Sequence, residues 1–372
     1  MRIGIDATVI HGEKSGVATY TEELTLALAR LFPQDEFIWF SNRAVETENN
    51  VPSNIRIERS RLVPTRTLWM QSALPALARA ERVDVLHFTN SLAPLALSTP
   101  YLISIHDMST RLLPSFHTWK KRKLWQALLP NAARKCKAIV AGSESAAADI
   151  RAAFPFAVGK IFVVPYAASP GFYPAAAGED FGPALRALAV QSPYILGVGN
   201  MEPRKGFVTL LKAFQQLRQD QGIPHRLYLC GPSGWKNRIL KKSLQSDNEG
   251  TARYLGYVSR QQLRALYCNA DLFVYPSLME GFGLPVLEAM SCGTAVIAAA
   301  NSAITEVALN SARLFATHSV SDLRDALAEL LGDPAEIERW RKLGQARARE
   351  FTWERAAAQT MEIYRRVAGM RR

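Results

Sequence analysis

The densest cluster of groups able to do chemistry is the run Glu280-Gly281-Phe282-Gly283-Leu284-Pro285-Val286-Leu287-Glu288. It follows the apolar, β-rich segment Leu272–Ser277 and precedes a helical pattern, so it reads as a strand–turn–helix junction. Two glycines let the backbone turn tightly and direct amide N–H groups at a ligand, and Pro285 suits a first helical position. Amides and a helix N-terminus together make an anion site. The two flanking carboxylates can each accept two hydroxyl hydrogen bonds, which suits the vicinal diol of a sugar or ribose. Glu288 is expected in the first turn of the helix. The bland alternative is an ordinary junction with two surface acids, but nine residues with both acids and the proline are more specific than an isolated Gly-x-Gly.

A second cluster, Gly199-Asn200-Met201-Glu202-Pro203-Arg204-Lys205-Gly206, also ends a strand and opens a helix. Adjacent Arg204 and Lys205 at such a turn can grip a diphosphate, the arginine through its planar fork and the lysine as a point charge. Cations at a helix start oppose the dipole, and that unfavourable placement argues for a ligand rather than two solvated bases. A third group, Ile103-Ser104-Ile105-His106-Asp107, closes a strand of the first half; His106 is either a ligand contact or a hydrogen-bonded structural histidine. A fourth, Lys14-Ser15-Gly16-Val17-Ala18-Thr19-Tyr20, follows the first strand, and Gly16 lets backbone come close to a ligand. His87, near the end of Asp84–Phe88, reads as acceptor-side or as core.

The elements that must position these residues are short apolar runs alternating with longer helical patterns. In the first half the strands are expected at Arg2–Asp6, Phe37–Phe40, Asp84–Phe88, Tyr101–His106, Ala138–Gly142 and Ile161–Pro165, with helices such as Thr19–Leu31 and Lys120–Lys135. From Ala168 to Gln191 the rhythm breaks into a Pro-, Gly- and Ala-rich linker. It then restarts with strands at Tyr194–Gly199, Arg226–Gly231, Arg253–Gly256, Leu272–Tyr275 and Ala295–Ala299. Apolar strands on this rhythm imply parallel sheets covered on both faces, an α/β class. A last helix is expected over Thr352–Val367, with Thr352 as its N-cap and Glu354 in its first turn.

Composition narrows the function. A chain of 372 residues, 48% hydrophobic and 21% charged, is long enough for two globular domains. No apolar run reaches the roughly 18–20 residues of a membrane span, and the N-terminus lacks the pattern of a signal peptide, so a cytoplasmic location is expected. Cys136, Cys230, Cys268 and Cys292 show no metal-ligand spacing and read as free thiols. The net charge of +12 favours anionic partners. Between Arg111 and Lys160 ten bases face two acids, which places +8 in one segment with Trp119, Leu124, Trp125, Leu128 and Leu129 interleaved. Such a helix suits an anionic membrane surface, with a solvated face as the alternative; no motif for nucleic acid accompanies it.

The Glu280–Glu288 run resembles the E-x7-E motif of retaining GT-B glycosyltransferases of family 4, and the resemblance covers nearly the whole chain. It implies a GT-B fold: two Rossmann-like domains facing across a cleft, with the C-terminal helix returning to the first. The corresponding bounds are 1–170 for the acceptor-side domain, 171–350 for the donor domain and 351–372 for the returning helix. It implies that Glu288 bonds the donor ribose, that Glu280 with the amides of Gly281, Phe282, Gly283 and Leu284 holds donor sugar and diphosphate, and that His106 contacts the donor sugar. Many relatives carry an arginine directly after the strand glycine; that position here is Asn200, which moves the role to Arg204 with Lys205. Gly16 resembles the loop over the reaction centre, which in many relatives holds two glycines. The segment Tyr254–Val258 resembles the one whose backbone reads the nucleobase, placing Val258 in the donor site, and Gly231–Trp235 resembles a donor-side loop.

The resemblance further implies transfer with retention by front-face attack, a donor phosphate oxygen taking the acceptor's proton. No Asp-x-Asp occurs in the sequence, so Arg204, Lys205 and backbone amides are expected to meet the leaving charge without a metal ion, and no cofactor is expected. The segments around Met201–Lys205 and Gly231–Trp235 are similar to those of bacterial mannosyl- and rhamnosyltransferases of surface polysaccharide assembly. The expected partners are a nucleotide-sugar donor, leaning to GDP-mannose or a GDP-deoxyhexose, and a glycan or lipid-linked acceptor, with the enzyme peripheral on the inner membrane face. The alternatives are a non-transferring GT-B enzyme, such as a nucleotide-sugar epimerase, and a non-catalytic binding scaffold.

Overall fold

The structure, a computed structural model, describes residues 1–372 except 61, 62, 64, 236, 246–249 and 370–372. The chain divides into two compact units: Met1–Tyr166 with Thr352–Arg372, and Ala167–Phe351. The last three residues of the segment 351–372 lie outside the described residues.

The first unit runs β1 (Arg2–Asp6), α1 (Gly16–Leu31), β2 (Glu36–Ser41), β3 (Ile55–Arg59), α2 (Arg66–Ala80), β4 (Val85–Phe88), β5 (Tyr101–Ser104), α3 (Ser109–Leu112), α4 (Trp119–Lys135), β6 (Ala138–Ala141), α5 (Glu144–Ala153) and β7 (Ile161–Val163). Among the described residues its sheet has seven strands in the order β3-β2-β1-β4-β5-β6-β7, every pair parallel. The order reverses between β1 and β4. Strands β4, β5 and β6 are buried along their whole length, because helices cover both faces. Trp69 and Met70 of α2 join Phe40, Phe88, Ile103 and Ile139 in one core. Helix α1 is capped by Ser15, whose Oγ accepts from the Ala18 amide.

The second unit runs α6 (Gly182–Ala187), β8 (Tyr194–Val198), α7 (Phe207–Gln221), β9 (Arg226–Cys230), α8 (Arg238–Gln245), β10 (Ala252–Tyr254), α9 (Arg260–Asn269), β11 (Leu272–Tyr275), α10 (Leu284–Ser291), β12 (Ala295–Ala299), α11 (Ser302–Ala308), β13 (Arg313–Phe315), α12 (Val320–Gly332) and α13 (Pro334–Ala348). Its described strands form a parallel sheet in the order β10-β9-β8-β11-β12-β13, reversing between β8 and β11. Phe207, Leu210 and Phe214 of α7 and Leu323 and Leu327 of α12 pack on one face of it.

The last helix, α14 (Trp353–Gly369), belongs to the first unit and packs on α1. Thr352 caps it, its Oγ1 accepting from the Arg355 amide at 3.2 Å, as the sequence predicts. A buried polar chain anchors the helix. Tyr364 Oη lies 2.8 Å from His87 Nδ1, His87 Nε2 lies 2.7 Å from Ser104 Oγ, and Ser104 Oγ lies 2.8 Å from Tyr20 Oη. His87 is fully buried, and burial pushes its pKa down to about 3, so it is a neutral core residue.

The fold differs from the sequence expectation at its edges and strand ends. Strands β3 and β13 are unpredicted, since both lie at sheet edges and carry little continuous apolar sequence. The linker 168–191 contains the short helix α6. The strand expected over Tyr101–His106 ends at Ser104, leaving His106 two residues beyond it.

Candidate donor site of the second unit

Parallel α/β sheets bind ligands beyond the carboxyl ends of their strands, where the strand order reverses. In the second unit that point lies between β8 and β11. The turn Pro203–Lys205 after β8 and the segment Pro276–Phe282 after β11 meet there. Gly206, at φ 68°, ends the turn and opens α7. A Cβ there would stand 2.0 Å from the Pro276 carbonyl oxygen, so only glycine allows the two loops to close on each other. The Leu278 amide bonds the Arg204 carbonyl at 2.9 Å, and the Met201 amide ties the same turn to Pro232 after β9 at 3.0 Å.

This packing brings together side chains 75 positions apart in sequence. Lys205 Nζ lies 2.6 Å from Glu280 Oε1 and 2.9 Å from Tyr275 Oη. Arg204 Nη1 lies 3.2 Å from Glu280 Oε1, and Arg204 Nη2 lies 2.8 Å from Glu202 Oε1. Ser277 Oγ donates to Glu280, and the Met279 carbonyl accepts from Arg204. Glu202, Arg204, Lys205 and Glu280 are all buried. Burial alone would raise the Glu280 carboxyl, but Lys205 and Arg204 outweigh it and hold the pKa at about 2. Two cations and two carboxylates thus face one another in a tight, charge-balanced cluster.

The glycine-rich loop leads from this cluster into α10. Gly283 caps the helix at φ 107°, and a Cβ there would lie 2.4 Å from Ile304 Cδ1. Phe282 is buried edge-on against Phe351, with ring centroids 5.8 Å apart. The helix begins at Leu284, so Pro285 is its second residue and Glu288 its fifth. Both expectations shift by this register: Pro285 does not open the helix, and Glu288 sits beyond its first turn. Glu288 is buried and accepts from Tyr267 Oη at 3.2 Å. Burial raises its pKa to about 7 against the smaller lowering pulls of Tyr267 and Arg260. The two acids of one motif therefore have opposite electrostatics, Glu280 firmly ionised and Glu288 poised near neutrality.

Val258 is buried immediately before Ser259, the N-cap of α9, whose side chain and Gln262 form a reciprocal capping box. In the first unit, Gly16 is the first residue of α1, while the loop before it takes its left-handed residue at Gly12, φ 55°. His106 is half-buried and bonded at both ring nitrogens, Nε2 to the Thr89 carbonyl at 2.7 Å and Nδ1 to Tyr166 Oη at 2.9 Å. A carbonyl only accepts, so Nε2 carries the proton and Nδ1 accepts from the tyrosine. Burial lowers the His106 pKa, which favours that neutral form.

Sequence reasoning assigned no role to Glu202, Tyr275, Ser277 or Tyr267, the hydrogen-bonding partners of the predicted residues. Glu202 lies inside a quoted motif, and Tyr275 and Ser277 sit at the end of a predicted strand, so their position was the available signal. Tyr267, mid-helix, carried none.

The sequence model described as Glycosyltransferase Family 4 matches residues 14–169, and that described as Glycosyl transferases group 1 matches residues 186–347. The O-antigen chain mannosyltransferase B of Escherichia coli is 30% identical over 315 residues, 83% of this chain and 80% of that protein. The MMP alpha-(1->4)-mannosyltransferase of Mycolicibacterium hassiacum is 28% identical over 321 residues, 81% of this chain and 75% of that one. Among solved structures, the sucrose-phosphate synthase of Thermosynechococcus elongatus matches 99% of both chains with a TM-score of 0.78 at 20% identity, a likeness of fold.

Proposed function

Since this chain belongs to the group 1 and family 4 glycosyl transferases and is a hexosyltransferase of GT-B fold, we propose that it moves mannose, or a related deoxyhexose, from a GDP-sugar to a glycan or lipid-linked acceptor with retention of configuration. The single observation that carries the site assignment is the convergence of Arg204, Lys205 and Glu280 at the reversal point of the second sheet. The lean to mannose rests on the relatives named mannosyltransferases.

On this reading the donor diphosphate takes up Arg204 and Lys205, which are held in place by Glu202 and Glu280 before the ligand arrives. Preorganised cations act where charge develops on the leaving group, without reorganisation during the step. Glu280, with the amides of Gly281, Phe282, Gly283 and Leu284, faces the donor sugar and diphosphate. Glu288 accepts from the ribose diol, and the backbone near Val258 meets the base. For the first unit, the resemblance to family 4 assigns His106 to the donor sugar and Gly16 to the loop of the reaction centre; a sugar hydroxyl would take over one of the two bonds that His106 makes to Tyr166 and Thr89.

The test is a transfer assay with purified protein, GDP-mannose and a mannose-terminated acceptor, run with and without EDTA, with the product anomer read by NMR. We expect an α-linked product and turnover that survives the chelator. Turnover that vanishes with EDTA and returns with Mg²⁺ or Mn²⁺ removes the metal-free mechanism, and a β-linked product removes retention. A thermal-shift comparison of nucleoside diphosphates identifies the base, because a ligand at 100 times its Kd stabilises by about 2.7 kcal/mol.

A further inference from the structure

We propose that the first unit carries a binding pocket for the phosphate end of an anionic lipid, formed between α3, α4 and the end of α5. A cavity of about 320 Å³ opens there. Trp125 and Leu129 of α4 and Phe154 after α5 give it apolar walls, while Thr110, Arg111 and Arg122 line it with polar groups. It lies at the small end of the roughly 300–1,000 Å³ typical of small-molecule sites.

Two observations set the ligand chemistry. First, both charged side chains on the lining are arginines, whose planar forks recognise phosphate oxygens in pairs. Arg111 is anchored by Nη1 to the Ala153 carbonyl at 3.2 Å. Second, the half-buried Trp125, with the edges of Leu129 and Phe154, gives the cavity an apolar wall that suits methylene groups. A phosphate with an alkyl chain satisfies both; a free anion leaves the apolar wall unused, and a neutral lipid leaves the arginines unused. The same segment concentrates +8 of charge, which raises the local concentration of such a ligand at a bilayer.

For its source of ligand the inference rests on the expectation, drawn from the +8 segment, that helix α4 meets an anionic membrane surface. Its test separates the two. Decyl phosphate below its micellar concentration is titrated calorimetrically into the protein without donor or vesicles, beside octyl phosphate, hexyl phosphate and inorganic phosphate. We expect one saturable site, tightening up to about fourfold per methylene added, and no competition from millimolar inorganic phosphate. Arg111→Gln with Arg122→Gln weakens binding tenfold or more. Gln126→Trp, a surface change on α4 that fills the cavity, blocks binding in a protein whose circular dichroism is unchanged. Vesicles of phosphatidylcholine with phosphatidate, against vesicles with phosphatidylglycerol at matched surface charge, identify the bilayer as source: the wild type prefers phosphatidate and the double arginine variant does not. Absence of saturable binding, affinity independent of chain length, wild-type binding by the arginine or Gln126→Trp variants, or equal affinity for the two vesicles each overturns the proposal. None of these outcomes bears on sugar transfer, which is read separately with GDP-mannose.

Discussion

Glu280 and Glu288 share a motif and differ in environment, and their titration separates their roles. Glu280 is depressed to about 2 because two cations overcome its burial. Its contribution to stability is present above the ordinary carboxylate range and is lost as pH falls through that range towards 2. Removing Lys205 takes one cation away from a buried carboxylate. Lys205→Met is therefore expected to destabilise by about 3–5 kcal/mol and to abolish turnover. Adding Glu280→Gln restores much of the melting temperature without restoring activity. A double variant as unstable as the single one would show that the pair is not coupled. Glu288 behaves oppositely, with a pKa raised to about 7 by burial. The folded chain retains a proton there that the unfolded chain has lost, so stability declines as pH rises from the ordinary carboxylate range through 7. Glu288→Gln is expected to melt above the wild type at pH 8 and level with it at pH 5. If the proposed diol contact is correct, nucleotide affinity measured calorimetrically rises from pH 6 to pH 8 in the wild type and stays flat in Glu288→Gln. Glu288→Ala then weakens binding by on the order of 1.5–3 kcal/mol; unchanged affinity removes Glu288 from the site.

At the scale of elements, the loop into α10 depends on one backbone position. Gly283 combines φ 107° with a neighbour 2.4 Å from any added Cβ. Gly283→Ala is expected to cost roughly 1–3 kcal/mol of strain and to weaken nucleotide affinity, because the amides of Gly281–Leu284 move with the cap. Urea melts and titration of the same preparation check it, and a variant with unaltered stability would mean that the loop relaxes freely. The sequence makes such junctions legible because glycine and proline restrict backbone directly, and because strands buried on both faces, such as β5 and β12, are continuous apolar runs. Edge strands are legible only weakly: Ile55–Arg59 holds two apolar residues among three charged ones, too short a pattern to stand out before β2 pairs with it. The register of Glu288 was missed for a related reason. Pro285 tolerates either of the first two helical positions, and only the cap geometry at Gly283 decides between them. The candidate site was half visible. Its charged residues announced themselves by type, whereas Tyr267, Tyr166 and Ser277 act through contacts made in three dimensions.

At the scale of the whole molecule the chain carries +12, and +8 of it lies between Arg111 and Lys160. Among the described residues no helix is long and apolar enough to cross a membrane. The proposed contact with an anionic bilayer is therefore a surface one, and α4 decides its form. Leu128 and Leu129 of α4 are buried, and Leu124 and Trp125 pack against the same core, so this apolar face is turned into the protein and is open only at the cavity beside Trp125. Trp119 alone among the interleaved apolar residues stands out, 67% exposed at the start of the helix beside the exposed Lys120. Of the two tryptophans, Trp119 is the one placed to enter an interface, because Trp125 packs against the core, with Lys121 Nζ 5.7 Å from its ring. Binding is then carried mainly by charge, each base near the surface contributing about 1 kcal/mol, and the attraction decays over a Debye length of about 10 Å at 0.1 M salt. Vesicles of phosphatidylcholine with phosphatidylglycerol are expected to sediment the protein at 50 mM salt and release it at 500 mM. Changing Lys120, Lys121, Arg122 and Lys123 to Gln removes four of the ten bases and is expected to abolish sedimentation at low salt, whereas Trp119→Ala reduces it only partly. Equal sedimentation of wild type and the fourfold variant would make this segment a solvated face and leave a lipid-linked acceptor to reach the enzyme by another surface.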